Sequence, residues 1–214
     1  MINRKYKCIF IEVPKTGSTS IRSLVGSPKY PHLDIKETIY NIKHFLPFYN
    51  LRYYKYVNYI YKNILPTKTR NSIGENIIDE YFKFGIVRNP WSRTVSLYNR
   101  KEGIQMRNKM SFEEFVNWIN YSSDTCIYPS RKLNQLDWFK DSNGKLFVDF
   151  IGKFESLNKD WEHISEILGI LDKLPHKNKN TSRKHYSEYY NSKTKEIIRK
   201  KFLTDIEYFE YEFK

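Results

Sequence analysis

The sequence predicts an α/β fold, a small parallel sheet flanked by helices, in one domain spanning residues 1–214. Three observations predict it. Short apolar runs rich in β-branched and aromatic residues, at 7–13 (KCIFIEV), 82–90 (FKFGIVRNP) and near 148–151, have the length of buried strands. Stretches of helical period lie between them. The first two runs stop at a proline and pass at once into helical sequence, the opening of a strand–loop–helix unit.

Each element has its own signal. Pro14 ends the first strand, and TSIRSLV begins a helix with small hydroxyl residues at its N-terminus. Residues 28–34, with two prolines, read as a loop. Residues 35–65 read as helix, with Leu51, Tyr54, Val57, Ile60 and Ile64 at spacings of three to four, and residues 66–71 break it. IGENIIDEYF is a further short helix. Pro90 opens the helix PWSRTVSLYNRK, since its fixed φ suits the first helical position. Ser111 and Glu114 form a capping box before FVNWI. Asn143-Gly144 between apolar runs marks a hairpin turn. LNKDWEHISEIL is amphipathic helix closed by Gly169, residues 175–190 are a basic loop, and KTKEIIRKKFLTDIEYF ends as helix. There is no internal repeat and no low-complexity block.

Composition bounds the function. Glycine and proline number 8 each in 214 residues, which excludes a fibrous chain and argues against disorder. The net charge of +13 points to an anionic partner, although the lysines are scattered along the chain and form no concentrated patch. Two cysteines, Cys8 and Cys126, make neither a CxxC pair nor a zinc pattern. Cys8 is expected as a buried free thiol in a reducing compartment. No apolar run is long enough for a signal h-region or a membrane span, so a cytoplasmic protein is expected. The N-x-S patterns at Asn120 and Asn180 matter only for a secreted chain.

Two loops carry chemistry. In VPKTGSTSIR a helix N-terminus offers unpaired N–H groups, Gly17 permits a conformation other residues resist, Lys15 adds charge, and Ser18, Thr19 and Ser20 add hydroxyls. Such a loop can wrap a phosphate or sulfate. It is not the nucleotide-triphosphate loop G-x-x-x-x-G-K-[ST], because the lysine precedes the glycine. In FGIVRNPWSRTVSLYN, Arg88 stands at a strand end and Ser96 on the helix that follows, a cradle for a second anion. An empty helix cap and a plain strand-end salt bridge are the bland alternatives.

Together the two loops resemble the sulfotransferases that use 3′-phosphoadenosine 5′-phosphosulfate (PAPS), in particular the carbohydrate (family 2) branch. The resemblance extends through QLDWFKDSNGKLFVDFIGKFESLNKDW, ILDKLPHKN and DIEYFEYEF, and leaves out roughly residues 35–75. It implies a P-loop-like three-layer sandwich with a central parallel sheet. It implies that Lys15, Thr16, Gly17, Ser18, Thr19 and Ser20 grip the 5′-phosphosulfate, that Arg88 and Ser96 hold the 3′-phosphate, and that Arg183 and Lys184 lie in a segment closing over the nucleotide. The acceptor implied is a carbohydrate or other hydroxyl compound, and the positive charge fits an anionic one.

The reaction expected is in-line attack of an acceptor hydroxyl on sulfur, governed by positioning and charge stabilisation, with no metal required. Lys15 neutralises charge on the bridging oxygen. Among His32, His44, His163, His176 and His185, His32 is chosen as the base, with His44 and Glu37 as fallbacks; His163 reads as a surface residue. Most aromatics are read as core, with a few of Tyr49, Tyr53, Tyr54 and Tyr56 facing an acceptor. The competing readings are a P-loop kinase using ATP and Mg²⁺, for which Asp149 is the only metal carboxylate in view, a non-enzymatic anion- or nucleic-acid-binding protein, and a sulfotransferase-like protein without turnover. No nucleic acid partner is expected.

Overall fold

Successive side chains of a strand point to opposite sides, so CIFI presents two apolar faces. The computed structural model describes residues 1–26, 33–44, 63, 66–99, 110–121, 134–175 and 184–214. In it a short strand β1 (Ile2–Asn3) precedes this run, which forms β2 (Cys8–Ile11). Ile9 and Ile11 enter one apolar cluster, Cys8 and Phe10 the other. With β3 (Phe82–Val87) and β4 (Phe150–Lys153) the sheet has the order β1-β2-β3-β4. β2, β3 and β4 run parallel, whereas β1 is antiparallel to β2. The expected all-parallel sheet is therefore corrected at one edge. β1 reaches β2 through a short turn, and only an antiparallel strand can be reached without a crossover.

Helices cover both faces. α1 (Ser18–Val25) supplies Ile21 and Val25 to the cluster of Phe10 and Phe84. α2 (Ile35–His44), α3 (Thr67–Glu80), α4 (Pro90–Tyr98) and α5 (Phe112–Tyr121) pack on the opposite face, with Ile35, Ile77, Trp91 and Phe115 among the buried residues. α6 (Leu157–Leu168) adds Trp161 and Ile164 to the α1 side. α7 (Ser192–Lys201) adds Ile198 to the other side and continues into α8 (Leu203–Tyr208). The buried Cys8 thiol is free, and burial pushes it up to about 12.

Local signals hold where they act over a few residues. Pro90 is the first residue of α4, and the Asn89 side chain caps it by accepting from the N–H groups of Trp91 and Ser92. Ser111 N and Oγ donate to Glu114 Oε2 at 2.6 and 2.8 Å, which holds the Glu114 carboxyl below its ordinary value, and Glu114 N donates back to Ser111 Oγ at 3.3 Å. Gly144 turns the 140–146 hairpin at φ +80°, and Gly169 ends α6 at φ +64°.

Four boundaries differ. α3 starts at Thr67, because Pro66 opens a helix where a break over 66–71 was expected. The third strand begins at Phe150, two residues later than expected. Asp149 N–H still donates to Lys83 O, but the Asp149 carboxylate takes the Lys83 N–H at 2.6 Å and displaces the next ladder bond. The C-terminal helix divides at Phe202, whose φ is −111°. Residues Tyr186–Tyr189 form a 3₁₀ turn within the expected loop. Of the helix expected over 35–65, Ile35–His44 is present; Tyr49, Tyr53, Tyr54 and Tyr56 lie outside the described residues.

Candidate functional site

The parallel register decides where the loops meet. Ile11 lies opposite Gly85 and Val87 opposite Lys153. The chains leaving β2, β3 and β4 therefore emerge at one carboxyl edge, where ligands of open α/β sheets gather. Pro14 and Lys15, Arg88, and Phe154 and Glu155 follow these ends.

The first loop turns sharply. Lys15 has φ +69° and Gly17 φ +86°, two left-handed residues within three. Glycine adopts this region freely; for lysine it is strained, and such strain collects at functional sites. A Cβ on Gly17 would also stand 2.9 Å from the Phe154 ring, so the position excludes any side chain. Gly17 is the N-cap of α1 and makes no side-chain capping bond, while Ser20 N–H donates to Gly17 O at 3.2 Å. Thr16 is buried and its hydroxyl donates inward to Val13 O at 2.9 Å. It braces the loop from inside. Ser18 is buried, Ser20 half-buried and Thr19 exposed. Behind the loop, buried Glu12 pairs with Arg22 at 3.4 Å.

The second motif holds the first. Arg88 Nη1 donates to Lys15 O at 3.3 Å and Nε to Ser92 Oγ at 3.0 Å, and its guanidinium lies 4.0 Å from the Phe154 ring centroid. Arg93, only 2% exposed, donates from Nε to Pro14 O at 3.1 Å. Two arginines from one helix start thus grip two successive carbonyls of the loop 73 and 79 residues earlier. Ser92 and Ser96 are four apart on α4 and so share a face, extending the polar track from Arg88. Ser96 is half-buried.

A buried layer supports this edge. The Gln135 side chain bonds both backbone groups of Arg88. Asp205, fully buried, accepts from Gln135 N, Gln135 Nε2 and Leu136 N. Burial pushes the Asp205 carboxyl up, opposed by these bonds and by nearby Arg93. Glu155 accepts from Asn89 N at 2.9 Å and from the Tyr211 hydroxyl at 3.3 Å; the Tyr211 hydroxyl is pushed up by burial and by this carboxylate.

Of the residues expected at the site, Lys15, Thr16, Gly17, Ser18, Thr19, Ser20, Arg88 and Ser96 lie on the first loop and its helix or on the second motif. Lys184 is exposed just ahead of the Tyr186–Tyr189 turn. His32, the chosen base, and Arg183 lie outside the described residues, as does His176. His44 closes α2. Glu37 caps α2 reciprocally with Asp34, and burial raises its carboxyl above the ordinary range. His163 is exposed against Phe150, as expected of a surface histidine, and His185 Nδ1 lies 2.7 Å from Ser187 Oγ. Trp91 is buried in the core, its Nε1 donating to Lys195 O. Arg93, Gln135, Phe154, Glu155 and Asp205 were missed. Only Arg93 had a visible signal, as a second arginine on the buried side of the same motif.

These features define an α/β protein in which two basic loops meet at the carboxyl edge of its parallel strands. A family model described as the sulfotransferase family matches residues 1–212, and the chain belongs to that family. An uncharacterized protein of Archaeoglobus fulgidus is 33% identical over 109 residues, covering 49% of this chain and 82% of that relative. No solved structure matches the chain. Membership implies a PAPS-dependent sulfuryl transfer in general, to a hydroxyl-bearing acceptor. Among the described residues, no helix is long and apolar enough to cross a membrane, and no group of three or more His, Cys, Asp or Glu could hold a metal ion.

Proposed function

We propose that the chain is a PAPS-dependent sulfotransferase acting on a carbohydrate hydroxyl, with a P-loop-like donor site. The observation that carries the reading is the bond from Arg88 Nη1 to Lys15 O, which makes the two basic motifs neighbours. A donor with phosphate at both ends of an adenosine needs two such cradles. The residues fit it: an uncapped helix N-terminus, a lysine and a small-residue turn suit the 5′-phosphosulfate, and Arg88 with Ser92 and Ser96 suits the 3′-phosphate. Arg183 and Lys184 would close over the nucleotide.

When bound, the donor supplies an activated sulfuryl group. Transfer breaks its bond to the bridging oxygen, forms a bond from the acceptor oxygen to sulfur in line, and releases 3′,5′-adenosine bisphosphate. Lys15 neutralises the charge gathering on the bridging oxygen. His32 takes the acceptor proton, with His44 and Glu37 as fallbacks. A cytoplasmic setting fits the free Cys8.

Asp149, the carboxylate a metal-dependent kinase would need, stands at the wrong end of the sheet. It pairs with Lys83 at 3.1 Å beside the start of β3, a strand length from Lys15. Calorimetric titration with 3′,5′-adenosine bisphosphate tests the proposal. Metal-independent binding, weakened in Lys15→Ala and Arg88→Ala, is expected. A preference for ATP–Mg²⁺, or no nucleotide binding at all, overturns it in favour of the kinase or the non-enzymatic binder.

A further inference from the structure

We propose that Gln135 is a positioning residue of the donor site, fixing the backbone of Arg88 so that its guanidinium meets the 3′-phosphate; this rests on the donor reading above. Gln135 is fully buried. Its Oε1 accepts from Arg88 N at 2.9 Å and its Nε2 donates to Arg88 O at 2.7 Å. Arg88 lies one residue beyond Val87, the last residue of β3 in the ladder with β4. Its backbone groups face the β2 side, as those of Phe82 do, and there β2 has already ended at Ile11, opposite Gly85. The carboxamide thus supplies, from one side chain, the donor and acceptor that a neighbouring strand would have supplied.

Asp205 fixes which way round the amide sits. An ionised carboxylate only accepts, so the NH₂ end of Gln135 must face Asp205 Oδ2, at 3.3 Å, and Oε1 is left for Arg88 N. The two hydrogens of Nε2 are then divided between Arg88 O and Asp205. Asp205 also takes Gln135 N at 2.7 Å and Leu136 N at 3.0 Å, anchoring the glutamine's own backbone. The tip of Arg88 is fixed by Ser92, Lys15 O and Phe154, and its root by Gln135. A planar guanidinium recognises an anion through directional paired bonds, so a loose root would spoil them.

The test compares binding of 3′,5′-adenosine bisphosphate and 5′-adenosine monophosphate, which differ only in the 3′-phosphate, by calorimetry. The wild type favours the bisphosphate. In Gln135→Met this preference falls about tenfold or more, with a smaller loss of affinity for the monophosphate because Arg88 also holds Lys15 O. Added to Arg88→Ala, the same change has no further effect, because its route through Arg88 is already gone. Gln135→Asn, which keeps the amide but shortens its reach, shows the same loss should the methionine variant fold poorly. A preference unchanged in the folded variants, or effects that add in the double variant, overturns the inference alone. A wild type that does not favour the bisphosphate overturns the donor reading, and the inference with it.

Discussion

Lys15→Ala lowers turnover by about 10²–10³-fold, the range seen when one preorganised group facing developing charge is lost. Affinity for the bisphosphate falls as well, because in that product the bond to sulfur is already broken and the charge Lys15 answers is fully developed. Transfer from radiolabelled donor across a panel of glycans reads the first quantity and calorimetry the second. Lys15→Gly separates chemistry from strain. Lys15 sits at φ +69°, where a side chain is disfavoured, so glycine is more stable there than alanine by about 1 kcal/mol. Both variants are equally slow. Turnover retained in either one removes Lys15 from the mechanism.

Arg93→Met has the largest expected effect on folding. Arg93 is 2% exposed, holds Pro14 O, and lies near the buried Asp205 carboxylate. Losing a buried arginine that bonds a loop carbonyl and lies near a buried carboxylate costs about 3–5 kcal/mol. In a domain of this size that lowers the melting temperature by roughly 6–20 °C. The loss depends on pH. Burial raises the folded Asp205 carboxyl above its ordinary 3.8, and Arg93 pulls it back down. An acid raised on folding contributes stability below its unfolded value and loses it as pH rises through its folded value. Without Arg93 that folded value climbs further, so the gap between wild type and variant is widest at neutral pH. It narrows as pH falls through the raised folded values, where Asp205 takes a proton and needs the arginine less. Melting curves from acid to neutral pH check this; a gap that does not change with pH shows that Arg93 acts by packing alone.

What was legible in the sequence is what acts within one turn. Cys8–Ile11 followed by Ser18–Val25, the Ser111–Glu114 box, the turn at Gly144 and the stop at Gly169 each depend on residues up to a few places apart. The two basic loops were readable for the same reason. What joins them was not. The bonds from Arg88 to Lys15, from Gln135 to Arg88 and from Asp205 to Gln135 span 73, 47 and 70 residues, and exist only because parallel pairing aligns the strand ends. The antiparallel edge was missed because β1 offers only two residues, too few for a period. The late start of β4 was missed because Asp149 turns its side chain to a job the backbone ordinarily does.

Those long separations also place the site in time. Closing distant loops costs chain entropy before their bonds return anything, so parallel pairing comes late in folding. The Lys15–Arg88 meeting requires β2 and β3 to be aligned, and Gln135 and Asp205 must arrive from farther along the chain. An ensemble still short of that point has no anion site for a nucleotide to find. On the proposed donor site, nucleotide is expected to slow unfolding and to leave the rate of folding unchanged.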